Sequence, residues 1–264
     1  MTDDGETDRI EQWLSALRDD NEALRNHAIA SLGQAGPDAI PHLIALMADE
    51  DAVIREAATN AVVRMGPVAV EPMVKALQDD EWMVREQAAS ALGQLKDSRA
   101  IDPLVAALQD KDGAVRTAAV WALERIGDAR AVPGLIDALQ DGTLREDVAR
   151  VLKKIGDIRA VEALIDCLAG SNWMVRRHAA DALGRIGDPR GIKPLIEALK
   201  DEDWLVRRNA AESLARLHAT EAIEPLVPLL EDDNALVQET VAAALASLGW
   251  QSDTRAKHNH DQHD

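Results

Sequence analysis

The chain of 264 residues contains no phenylalanine and no tyrosine, and only six tryptophans. Aromatic residues make up 2% of the sequence although hydrophobic residues make up 47%. A β-sandwich or barrel core built from aromatic and β-branched residues is thereby excluded. The interior has to be Ala, Leu, Val and Ile, the residues of closely packed helices. Cysteine occurs once, at Cys167, so no disulfide can form within the chain. No apolar run approaches membrane-spanning length. The start, MTDDGETDRI, has neither the basic nor the apolar segment of a secretory leader. A soluble, cytoplasmic protein is expected.

Positive charge is scarce as well. The formal net charge is −18, with 29 Lys and Arg against 47 Asp and Glu. Such a field repels nucleic acid and anionic membrane unless the cations gather in one patch. Arginine outnumbers lysine 21 to 8. An acidic, lysine-poor surface fits a high-salt cytoplasm and also fits ordinary acidic proteins.

What the sequence does have is a repeat. The arginines Arg25, Arg55, Arg85, Arg116, Arg145, Arg176 and Arg207, followed by Gln238, lie 30, 30, 31, 29, 31, 31 and 31 residues apart. Pro41, Pro72, Pro103, Pro133, Pro194 and Pro225 keep step with them, and Ala163 fills the vacant slot. Eight units follow, about 9–36, 37–66, 67–97, 98–128, 129–157, 158–188, 189–219 and 220–249. Residues 1–8 read as an acidic tail and 250–264 as a disordered tail rich in His and Asp. In that tail His258, His260 and His263 lack the fixed scaffold a metal site needs.

Each unit reads as two helices. In GDPRGIKPLIEALKDEDWLVRRNAAESLARL, Asp188 caps a first helix whose apolar stripe is Ile192, Leu195, Ile196 and Leu199. Four residues before each aligned Arg or Gln stand Asn21, Asp51, Glu81, Asp112, Asp141, Asn172, Asp203 and Asn234. All but Glu81 are favoured N-cap types, and Asp80 could replace Glu81. The aligned arginine is then the fourth helical residue, near the positive end of the helix dipole. Its recurrence calls for a partner outside its own helix, and the acidic turns of neighbouring units offer one.

The phrases GDARAVPGLIDALQD, GDIRAVEALIDCLAG and GDPRGIKPLIEALKDEDWLVRR resemble the short HEAT-like repeats of the phycobilisome-lyase type. They are also similar to the consensus repeat of artificial helical scaffolds. Tetratricopeptide repeats need Tyr and Phe, and ankyrin repeats a T-P-L-H turn; both are absent. The resemblance covers residues 9–249 and implies an all-α fold, a right-handed α-α superhelix or solenoid. First helices would lie on its convex side and second helices on its concave side. Cys167, in the slot of Ala198, reads as core filling.

Along the second helix, steps of four from Trp204 give Arg208, Glu212 and Arg216. The buried line is Val206, Ala210, Leu214 and Leu217. Corresponding outer lines are Trp173, Arg177, Asp181, Arg185 and Trp82, Glu86, Ser90, Gln94. Trp121 lies two turns into its helix, beside Arg125. Met83, Met174 and Leu205 follow their tryptophans, giving apolar pairs that suit a partner surface. In the artificial scaffolds these are the positions varied to create binding surfaces. The alternative is that each Trp folds over the next unit and shields a helix end. Arg64, Arg125, Lys154, Arg185 and Arg216 share one slot, which reads either as a basic stripe or as cations paired with neighbours such as Asp181 and Glu212. Unit five is short and densely charged. Glu124 and Lys153 replace the small residue found at Gly93 and Gly184, and a pair between repeats is expected there. A change of curvature is expected to divide a Trp82/Trp121 patch from a Trp173/Trp204 patch.

No phosphate-binding glycine loop, nucleophile elbow or paired-cysteine metal site occurs. Deoxyhypusine hydroxylases, HEAT-like enzymes, bind iron through His-Glu dipeptides. Here His27 and His178 precede alanines and read as surface residues. Neither a catalytic residue nor a cofactor is assigned. HEAT-like DNA glycosylases hold DNA in a basic groove, which the net charge argues against. The reading is a protein-interaction scaffold or assembly factor, a monomer or weak homodimer, with a protein partner on the concave face. Trp82, Met83, Trp121, Trp173, Met174, Trp204 and Leu205 would anchor it, and Arg177, Arg185, Arg208 and Arg216 would orient an acidic or polar segment. The alternative implied by the resemblance is a lyase-like activity that handles an open-chain bilin.

Overall fold

The computed structural model describes residues 4–251, with side chains from residue 8 onward. The expectations for the tail beyond residue 251, its histidines included, lie outside the described residues. Among the described residues there are sixteen α-helices and no strands. They pair as α1 (Asp4–Ala16) with α2 (Glu22–Leu32), α3 (Ile40–Leu46) with α4 (Ala52–Arg64), and α5 (Val70–Ala76) with α6 (Trp82–Leu95). Next come α7 (Ile101–Ala107) with α8 (Gly113–Ile126), and α9 (Val132–Ala138) with α10 (Arg145–Ile155). The last pairs are α11 (Val161–Leu168) with α12 (Trp173–Ile186), α13 (Ile192–Ala198) with α14 (Trp204–Arg216), and α15 (Ile223–Leu226) with α16 (Ala235–Ser247). Helix α1 begins inside the stretch read as an acidic tail.

The described residues form two compact units, divided between residues 155 and 156. In the first, α2, α4, α6, α8 and α10 pack in succession; in the second, α12, α14 and α16 do so. Each is an α-solenoid segment in which a helix pair buries its apolar faces against the next. The tryptophans divide accordingly, Trp82 and Trp121 in the first unit and Trp173 and Trp204 in the second.

Helix pairing follows from local chemistry. Asn21, Asp51, Asp112, Asn172, Asp203 and Asn234 each accept a hydrogen bond from the backbone N–H two residues on, satisfying a first-turn donor. Glu81 sits at its cap position without such a bond. The first helices start differently from the expectation. Asp188 caps a single 3₁₀ turn, Pro189–Gly191, and α13 begins only at Ile192. Gly187 ends α12 at φ 78°, a left-handed conformation that costs glycine little.

Second helices approach closely because small residues stand at their crossings. A Cβ on Gly93 would lie 2.6 Å from Ala122 Cα, and one on Gly184 would lie 2.3 Å from Ser213 Oγ. The core is aliphatic throughout, with Leu92, Leu104, Leu123, Leu135, Leu195, Val206 and Leu214 fully enclosed. Cys167 is buried with them. Leu217, assigned to the buried line, is half-buried because it caps the end of α14. His178 corrects the reading of a surface histidine: it is buried on α12, where neighbouring helices enclose that face.

Candidate functional site

The recurring arginine solves its conflict with the helix dipole in two ways. Arg176 Nη1 donates to the carbonyls of Gly170 and Ser171 in its own preceding turn, at 3.0 and 2.9 Å. Its Nε and Nη2 donate to both oxygens of Asp201 in the next repeat, at 2.7 and 2.9 Å. Arg85 with Asp110 and Arg207 with Asp232 repeat this fork. Burial pushes the Asp110 carboxyl upward, but the Arg85 hydrogen bond and the Asp112 N–H outweigh it, and the group lies below its usual range.

The acidic partner stands two residues before the N-cap, where its carboxylate also accepts the N-cap N–H. A spacing search would have found it, because Asp19, Asp49, Asp79, Asp110, Asp201 and Asp232 hold that slot. Unit five has Leu139 there and unit six Gly170. Arg116 therefore turns to Asp141, with one hydrogen bond of 2.9 Å. Asp141 in turn accepts from Thr143 N and Oγ1. It caps a turn rather than a helix, contrary to expectation, and α10 begins at Arg145 instead of three residues earlier. Arg145 Nε donates to Leu139 O at 2.7 Å.

The Asp-x-Arg phrases before the first helices form another unforeseen pairing. Asp97 accepts the backbone N–H of Arg99 while the Arg99 guanidinium folds back onto both carboxylate oxygens. Asp128–Arg130, Asp157–Arg159 and Asp188–Arg190 do the same. The Arg99 hydrogen bond is the chief reason the Asp97 carboxyl lies at about 2, and Arg159 does this for Asp157.

The second-helix faces carry the binding candidates. Trp82, Trp121 and Trp173 are exposed, at 39%, 37% and 37%. Trp204 is only half-buried, as are Leu205, Met83 and Met174, so Trp204 is less open than its line suggested. Arg125 lies over the Trp121 ring at 4.8 Å, and Arg177 over the Trp173 ring at 6.0 Å. The cations then separate by partner. Arg185 donates to Asp181 at 3.2 Å, and Arg216 to Asp181 at 2.8 Å and Glu212 at 2.5 Å. These two are engaged by carboxylates, as the mixed-charge reading required. Arg208 is not so engaged, and its Nε, like that of Arg55 in the first unit, is buried without a hydrogen-bond partner. It lines a groove of about 550 Å³ between α14 and α16, whose apolar surface comes from Ala215, Leu236 and Ala243. Glu124 on α8 of unit four meets Arg150 and Lys154 on α10, the second helix of unit five.

Among the described residues no group of three or more His, Cys, Asp or Glu could hold a metal ion. No helix there is long and apolar enough to cross a membrane.

No curated protein matches the sequence significantly. Among solved structures, the fold is similar to the Escherichia coli protein YibA, at 21% identity and TM-score 0.62, covering 95% of this chain and 98% of that one. It is similar to an engineered protein at 23% identity and TM-score 0.54, covering 90% and 78%. It is also similar to importin β at 18% identity and TM-score 0.64, covering 90% of this chain and 42% of importin β. At such identities the likeness speaks for the fold alone. The family model for HEAT repeats matches residues 10–74, 70–146, 140–201 and 192–257, nearly the entire described chain. With its paired helices and stacked second-helix rows, the chain belongs to the HEAT-repeat family.

Proposed function

We propose that the protein is an interaction scaffold, of the phycobilisome-lyase type within the HEAT repeats, whose second-helix face receives a protein partner. The observation that carries this reading is the duplicated pair Trp173–Arg177 and Trp204–Arg208. Trp173 is exposed, Arg177 is stacked on it without a carboxylate, and Arg208 lines the open groove between α14 and α16. Aromatic and arginine side chains are the common anchors of protein interfaces.

In this reading Trp173, Met174, Trp204 and Leu205 provide apolar contact in the second unit. Trp82, Met83 and Trp121 provide it in the first. Arg177 and Arg208 orient a carboxylate or carbonyl of the partner. Arg185 and Arg216 contribute less, because Asp181 and Glu212 already balance them. The scaffold acts in the cytoplasm as a monomer or weak homodimer, and its acidic field disfavours nucleic acid.

The test is affinity capture from the native host with W173A/W204A and R208A beside the wild type. Loss of the same partner from both variants, with melting temperatures near the wild-type value, supports the scaffold. Unchanged capture with a lowered melting temperature would assign the tryptophans to packing. An absorbance change on mixing with an open-chain tetrapyrrole would move the reading to the chromophore-handling alternative.

A further inference from the structure

The tie from a second-helix arginine to the acid of the next repeat, one rung of a ladder, is missing at two junctions of the first unit. Every arginine that makes the tie lies 25 residues before its acid: Arg85 and Asp110, Arg116 and Asp141, Arg176 and Asp201, Arg207 and Asp232. Arg25 and Asp49 lie 24 apart, as do Arg55 and Asp79. Arg25 and Arg55 still donate to the carbonyls of their own preceding turns. Neither reaches the next acid. Arg18 takes Asp49 instead, and Arg55 Nε is buried without a partner. Among the described residues Asp79 accepts only the Glu81 N–H.

The absent residue belongs to the corner turn that leads from a second helix to the next first helix. Ile40 follows Arg25 by 15 residues and Val70 follows Arg55 by 15. Ile101 follows Arg85 by 16, and Ile192 follows Arg176 by 16. From the start of the first helix the count no longer differs, with nine residues to Asp49, Asp79, Asp110 and Asp201 alike. Gly66 and Gly187 both turn through a left-handed conformation, at φ 70° and 78°. Pro67 follows Gly66 directly, whereas Asp188 stands between Gly187 and Pro189. Turn length decides, not the Asp side chain. The turn before α15 has Ala219 in that place, keeps 16 residues from Arg207 to Ile223, and the rung to Asp232 forms. One residue of turn spans about 3.5 Å, far more than the few tenths of an ångström by which a hydrogen bond can stretch.

We infer that corner-turn length sets which repeats are fastened, and that the two short turns leave α1 to α4 as a segment that opens separately from α6 and α8. In a repeat array each neighbour interface adds its own share of stability, so local opening stops at the fastened junction. The ties that remain are weaker in kind. Between α4 and α6 Thr59 donates to Gln87 Oε1 at 2.8 Å, a neutral bond where other junctions have a charge-assisted fork. Between the first two repeats the Arg18–Asp49 pair has its arginine 52% exposed, open to screening by salt. The Arg85–Asp110 fork is buried, at 5% and 12%. The inference is independent of the scaffold reading. It makes the α2 and α4 stretch of the second-helix face compliant beside a fixed α6 and α8 stretch.

Hydrogen exchange of the whole chain, read by mass spectrometry, tests this. In the wild type α2 and α4 are expected to exchange together, at least about tenfold faster than α6 and α8. Protection equal within about threefold would overturn the inference. Asp110→Asn, which breaks a fork, is expected to lower protection of α6 and α8 by about ten- to a hundredfold. Asp79→Asn is expected to leave α4 and α6 within about threefold of wild type. An effect as large as that of Asp110→Asn would show a closed rung and overturn the inference. Inserting one Asp between Gly66 and Pro67 copies the Gly187–Asp188–Pro189 turn. It should raise protection of α4 about tenfold, a gain that Asp79→Asn in the same background removes. A folded insertion variant without that gain would overturn turn length as the cause. Deleting Ala219 is the converse and should make Asp232→Asn nearly neutral for α14 and α16. Losses that simply add between the deletion and Asp232→Asn would overturn it as well.

Discussion

Replacing Arg176 tests whether the guanidinium ladder fastens one repeat to the next. The side chain is 7% exposed and its partner Asp201 10%. It donates five hydrogen bonds: two to Asp201, two to the carbonyls of its own turn and one of 3.2 Å to Glu202. Arg176→Met removes them all and leaves Asp201 with the Asp203 N–H as its remaining tie. Breaking one side of a buried pair costs about 3–5 kcal/mol. Arg176→Lys keeps the charge but cannot serve both carbonyls and both carboxylate oxygens, and we expect a loss of about 1–3 kcal/mol. Because a repeat array gains stability from each neighbour interface, the loss should centre on α12 and α14. Hydrogen exchange read by mass spectrometry resolves this where a single melting curve would not. At about 1.4 kcal/mol per decade, Arg176→Met should lower protection across those helices by about two to four decades. Arg190, half exposed, is the comparison and should leave α12 and α14 protection unchanged. Protection within about threefold of wild type in both Arg176 variants would refute the ladder as a stabilising tie.

Two further outcomes follow from the same structure. Gly184→Ala should destabilise by about 1–2 kcal/mol in chemical denaturation: helix propensity gains about 1 kcal/mol, but overpacking against Ser213 Cα, 2.7 Å away, costs about 1–3 kcal/mol and breaks the Ser213–Ala180 bond. Gly142→Ala, with open space around its Cβ, should show no such loss. For Asp97 and Asp157, held at about 2 in the folded chain, the unfolded state binds protons more readily. Their contribution is therefore complete above the ordinary carboxylate range and disappears as pH falls from about 4 to about 2. D97N/D157N should flatten the stability profile in that window, and an unchanged slope would contradict the assignment.

Most of the fold was legible because its determinants are local. A 30-residue period, Asp or Asn at the cap and an apolar stripe at helical spacing fix helix pairs without knowledge of neighbours. The position of Arg176 against a helix dipole even required a partner from outside. The candidate site was less legible. Trp173 and Trp204 occupy equivalent positions in sequence, yet one is exposed and the other half-buried, since the neighbouring repeat decides what remains open. Arg177, Arg185, Arg208 and Arg216 look alike as a row of cations. Only packing shows that Asp181 receives two of them while Arg208 keeps an unmet donor.

The sequence by itself determined an all-helical repeat array, its register and its need for ties between units, because spacing, caps and charge act within a few residues. Tertiary structure decided where α10 begins, that His178 is inside, and which polar groups of the second-helix rows stay unpaired. Those outcomes depend on side chains brought together from residues about 25–35 positions apart, whose contacts no local pattern specifies.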